Sequence, residues 1–136
     1  MPKPIVIVAA LAAVAAFAGC GQAEDRDQVG DVAARFSAAL ADGDGAAACA
    51  QLTEAAVQAL EQQARAPCAR AVTELGASPG KLARVRVYET SAEALYTKGT
   101  TAFLDRSADG WRLSAVGCRL DEGKPRSRPA TCALEA

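Results

Sequence analysis

Histidine is absent from the 136 residues, and neither sign of charge dominates: 15 Lys and Arg stand against 16 Asp and Glu. Without an imidazole, a Ser-His or Cys-His pair, a histidine general base and a His-ligated metal are all excluded. The even charge balance excludes the broad basic footprint of a nucleic-acid binder and the acidic excess of a disordered tail. Bulky core formers are scarce too. There are one Trp, two Tyr, three Phe and one Met, whereas alanine fills 34 positions. Setting alanine aside leaves only about a quarter of the chain to fill an interior, and the length suffices for one domain with a thin core.

The start of the chain carries an address. Residues 1–19 read as a signal peptide: a free amine and Lys3, an apolar stretch over residues 5–18, then small residues. That stretch is shorter than the roughly 20 residues needed to span hydrocarbon. The string Phe17-Ala18-Gly19-Cys20 resembles a bacterial lipobox, with Phe17 in place of the usual Leu as the bulky apolar residue. The resemblance implies cleavage before Cys20 and acylation of its thiol with diacylglycerol and palmitate-type chains. The mature protein is then expected on the extracytoplasmic face of a cell membrane, its partner being the membrane through the lipid anchor. Residues 20–26 are polar after Cys20 and are expected to form a tether reaching about 20 to 25 Å when extended.

Four cysteines remain, Cys49, Cys68, Cys118 and Cys132, an even number suited to two disulfides in an oxidising compartment. Three connectivities are open; pairing of neighbours, Cys49 with Cys68 and Cys118 with Cys132, is preferred. Each such loop contributes on the order of 3 kcal/mol in the chain-entropy model, which a thin core needs. No Cys-x-x-Cys pair is present, which argues against a zinc site and a dithiol redox centre. No metal site and no cofactor are expected.

Residues 27–136 are expected to form the single domain. Val29, Val32, Ala33, Phe36 and Leu40 recur at helical spacing from Asp27, and Asp42-Gly43 ends that helix. Asp44 caps a short second helix, Thr53 a third carrying Ala56, Val57 and Leu60, and Pro67 opens a fourth carrying Cys68, Val72 and Leu75 up to Gly76. Beyond Gly80 the period drops to two. Strands are predicted over 84–89, 94–98, 101–106 and 111–116, with turns at Lys98-Gly99 and Ala108-Asp109-Gly110, so the class is α+β with an antiparallel meander. Residues 121–129 are polar and aperiodic.

The run from Phe36 to Asp44, with Ala47-Ala48-Cys49 and Leu52-Thr53, resembles the opening helices of NTF2-like domains of the cystatin-like superfamily. Phe103-Leu104-Asp105-Arg106 and Gly110-Trp111-Arg112-Leu113 resemble that family's final hairpin, and Gly117-Cys118 with Cys132 is similar to small actinobacterial lipoproteins of this type. The resemblance implies N-terminal helices packed on a curled antiparallel sheet that encloses a cone. Tyr88, Tyr96, Phe103 and Trp111 would line that cone for an apolar small molecule, in a non-catalytic binding or accessory module. The same aromatics also suit a plain core. An isomerase- or dehydratase-like enzyme would need a carboxylate base and an oxyanion donor, for which Asp105 with Tyr88 or Tyr96 is the one arrangement available. A third expectation is an envelope protein that binds a partner through the exposed sheet face. Lys81, Arg84 and Arg86, with Arg119, Lys124, Arg126 and Arg128, form two basic clusters able to meet anionic headgroups.

Overall fold

The computed structural model describes residues 20–76, 78–119 and 131–136. The signal peptide expected over 1–19, with Phe17, Ala18 and Gly19, lies outside the described residues, as do the segment 121–129 and the basic residues Lys124, Arg126 and Arg128. Helices come first: α1 (Cys20–Ala41), α2 (Gly45–Cys49), α3 (Glu54–Ala64) and α4 (Cys68–Glu74). The strands β1 (Leu82–Val87), β2 (Ser91–Tyr96), β3 (Thr101–Ser107), β4 (Gly110–Cys118) and β5 (Leu134–Glu135) follow.

Local chemistry sets the helix ends. Gly43, at φ 71°, takes the left-handed turn that closes α1. The Asp44 carboxylate accepts from the Ala47 amide at 2.9 Å, and the Thr53 hydroxyl accepts from the Ala56 amide at 3.1 Å. Pro67 stands at the N-cap of α4 rather than inside its first turn, and the Cys68 amide donates to Glu61 Oε1 at 2.9 Å. The start of α1 departs from the sequence reading. Residues 20–26, expected as a tether, form its first turns, so Asp27 lies inside the helix. The polar residues are helical there because Asp25 finds partners on the sheet, described below.

The five strands form one antiparallel sheet in sequence order, β1-β2-β3-β4-β5. β2 starts earlier than predicted, and β5 pairs Leu134 with Val116 although the sequence shows no period there. The link between α2 and α3 continues the outer edge of β4: the Thr53 amide donates to the Leu113 carbonyl at 2.8 Å, and the Leu113 amide donates to the Gln51 carbonyl at 2.8 Å. Cys49 bonds to Cys68, tying α2 to α4, and Cys118 bonds to Cys132, tying the end of β4 to the approach to β5. Both bridges are the neighbour pairings.

All four helices lie on one face of the sheet or beside it. Val29, Val32, Ala33 and Phe36 of α1 pack on Ala92, Ala94, Tyr96, Ala102, Leu104, Trp111 and Leu113 in one continuous buried cluster that also takes in Leu60, Val72 and Leu134. The expected cone is therefore corrected. β1 and β5 are opposite edges of an open sheet that neither closes nor curls around a cavity. The physical reason lies in the alanines. Ala94 faces Ala102 across β2 and β3, both fully buried, so small side chains line the face on which α1 packs and let the two layers approach closely. At two residues, β5 is also too short to carry the sheet around.

Candidate functional site

The four aromatics expected to line a cone do not converge. Tyr96 and Trp111 project from β2 and β4 into the helix-covered core. The Tyr96 hydroxyl donates to the Ala33 carbonyl of α1 at 2.9 Å, and burial pushes its pKa well above the ordinary phenol value. Phe103 sits opposite Glu93 and Ala115, which places it half-buried on the other face. Tyr88 follows β1 in the turn to β2 and is 46% exposed, the one large hydrophobic side chain of that kind among the described residues. With the sheet open rather than curled into a cone, an apolar ligand in a cone and an isomerase- or dehydratase-like reaction in the same pocket both lose their setting. Asp105 is exposed, in register with Ser91 and Arg112, whereas Tyr96 lies in the core, so those two are not brought together; Tyr88, the other expected donor, is exposed in the turn beside Ser91. Among the described residues, no three His, Cys, Asp or Glu side chains gather as a metal site would require.

The sequence reading missed a cluster at one end of the domain. Asp25, in the second turn of α1, accepts from Arg106 Nη2 of β3 and from Trp111 Nε1 of β4, the latter at 3.2 Å. The Arg106 guanidinium also lies over the Trp111 ring, 4.7 Å from its centroid. The Arg106 hydrogen bond holds the Asp25 carboxyl below the usual carboxylate range against the opposing effect of burial, and the Trp111 bond adds to it. Arg106 and Trp111 are register partners, which brings the two donors together. The clamp fixes the start of α1 to the sheet.

The sheet face away from this core carries the second feature. Arg84 and Arg86 of β1, Glu93 and Leu95 of β2, and Thr101 of β3 line a shallow depression of about 60 Å³. Arg86 faces Glu93 across the strands, with Nη1 3.7 Å from Oε2. Charged residues on β1 also suit it as an edge strand, where they discourage pairing with another chain. Arg84 and Arg86 thus share this face, whereas Lys81 lies before β1, near Lys98 in the turn between β2 and β3.

Fold and surface together define the class: a small α+β domain, crosslinked by two disulfides, whose helices, among the described residues, pack on one face of the sheet. No family model matches the chain, and neither a curated protein nor a solved structure shows significant similarity to it. The expected kinship with NTF2-like domains and small actinobacterial lipoproteins is set aside, because no comparison supports it and the sheet lacks the cone. Acylation of Cys20 rests on residues 17–20 alone. Among the described residues, no helix is long and apolar enough to cross a membrane.

Proposed function

We propose that this chain is stationed on the extracytoplasmic face of a cell membrane and attached through acyl chains on Cys20. The observation that carries this reading is the use of the cysteines: two bridges take up four of the five, and the remaining one is Cys20. Paired disulfides suit an oxidising compartment, and a lone cysteine behind an apolar leader suits acylation.

The clamp on Asp25 supports a rigid mounting. Cys20 and Asp25 share α1, about 7.5 Å apart along its axis at 1.5 Å per residue, and Asp25 is bonded to the sheet. An anchor at Cys20 would therefore hold the domain against the bilayer with little slack. In a meander, the β1–β2 and β3–β4 turns lie at one end of the sheet, and Arg106 and Trp111 place the start of α1 at that same end. Tyr88 belongs to the first of these turns and would meet the headgroup layer, where an amphipathic ring is favoured. Lys81 and Lys98 would sit at the far end.

The test is metabolic labelling of the full chain with radioactive palmitate, followed by separation of membrane and soluble fractions. The expected result is label in the protein and a membrane location, both lost in Cys20→Ser. An unlabelled chain whose fractionation is the same in Cys20→Ser would overturn the proposal.

A further inference from the structure

The depression on the open face has a composition that the membrane reading does not use. Register partners arrange its lining in two rows: Arg84 opposite Leu95 and Leu95 opposite Thr101 in one, Arg86 opposite Glu93 in the other. The first row runs from a guanidinium across an isobutyl group to a hydroxyl. Thr101, at the end of that row, is 3% exposed. Arg84 forms no ion pair or side-chain hydrogen bond with any described residue, whereas Arg86 is matched by Glu93.

We propose that this depression is a binding site for a small monocarboxylate with a short aliphatic stem. The carboxylate lies on the Arg84 fork, which presents parallel N–H donors to two oxygens. The stem covers Leu95 and ends toward Thr101. A volume of about 60 Å³ suits a ligand of a few heavy atoms. Charge selects the monoanion: Glu93 offsets Arg86, so the two guanidinium groups leave one net positive charge, and a second negative charge would come close to Glu93. The site is independent of attachment at Cys20 and stands or falls separately.

The test is a titration of the oxidised full chain in nonionic detergent, followed by backbone amide NMR, with butyrate, neutral butanamide and inorganic phosphate as probes. Butyrate is expected to shift the Leu95 and Thr101 amides saturably at millimolar concentration, while butanamide leaves them in place. Arg84→Gln should weaken butyrate binding by about tenfold or more, as loss of a charge-assisted bidentate pair does, and Glu93→Gln should strengthen it. Both variants change exposed or half-exposed side chains, and their unperturbed spectra away from the depression would show that the fold persists. Absence of a saturable shift, an equal response to butanamide, or unchanged binding in Arg84→Gln would overturn the proposal. Tighter binding of phosphate than of butyrate would overturn the choice of carboxylate.

Discussion

Asp25 and Trp111 stand 86 positions apart in the chain and are joined by a 3.2 Å hydrogen bond from the indole N–H to the carboxylate. The bond ties the first helix to the fourth strand, and Arg106, stacked on the same indole, completes the contact. Because the Asp25 carboxyl is held below its ordinary range, its contribution to stability is present above the unfolded-state value and is lost as pH falls through the lower folded-state value. Asp25→Asn should lower the thermal midpoint at neutral pH and flatten the loss of stability below about pH 4, where free carboxyls protonate. Thermal melts of both forms at a series of pH values would check this; parallel pH profiles would count against the clamp.

Two glycines should respond in opposite ways to the same substitution. A Cβ on Gly45 would lie 1.7 Å from the Ala69 carbonyl oxygen, so Gly45→Ala must separate α2 from α4 and should cost about 3 kcal/mol or more. A Cβ on Gly30, inside α1, would meet Leu82 at an ordinary 3.7 Å. Gly30→Ala should therefore stabilise by about 0.5 to 1 kcal/mol through helix propensity. Urea unfolding of the two variants beside the parent would measure both.

The phenol of Tyr96 provides a probe of the helix–sheet contact. Its raised pKa follows from burial, so its contribution favours the fold below the ordinary phenol range and is lost as pH rises. Tyr96→Phe should remove a late phase from alkaline tyrosinate absorbance. It should also cost about 0.5 to 1.5 kcal/mol at neutral pH through the missing bond to Ala33. An absorbance titration with a parallel denaturation curve would test both parts.

The bridge between Cys49 and Cys68 closes a loop of 19 positions at the contact of α2 with α4. Replacing both cysteines by alanine should lower stability by about 3 kcal/mol in the loop-entropy model. Chemical denaturation of the double variant would show the size of the loss. Peptide mapping of the parent under non-reducing conditions should recover this bridge and the one between Cys118 and Cys132.

Features made by neighbouring residues were legible before any fold was known. Asp44 and Thr53 cap helices because their side chains reach amides three positions on, and Gly43 ends α1 because the turn needs a positive φ. The period of two disclosed four strands, although their ends shifted by a few positions. The start of α1 was not legible, because its stabilising partners, Arg106 and Trp111, arrive from the far half of the chain. Strand β5 escaped notice for the same reason: Leu134 and Glu135 become a strand by pairing with Val116 and Ala115. The aromatics show why a composition-based site fails here. Which face a strand residue takes depends on register and bulges, and the shift between Thr101 and Phe103 is invisible along one strand.

Composition and local spacing by themselves determined the α-then-β order, the helix caps and the even cysteine count suited to two bridges, because each depends on short-range chemistry or on counting. Tertiary structure alone decided that the sheet is an open meander rather than a cone, that Tyr96 and Trp111 turn inward while Phe103 turns out, and that Asp25 meets its two donors. Those outcomes depend on how closely alanine-lined surfaces approach and on strand register, which are properties of elements in contact and are set only when distant segments meet.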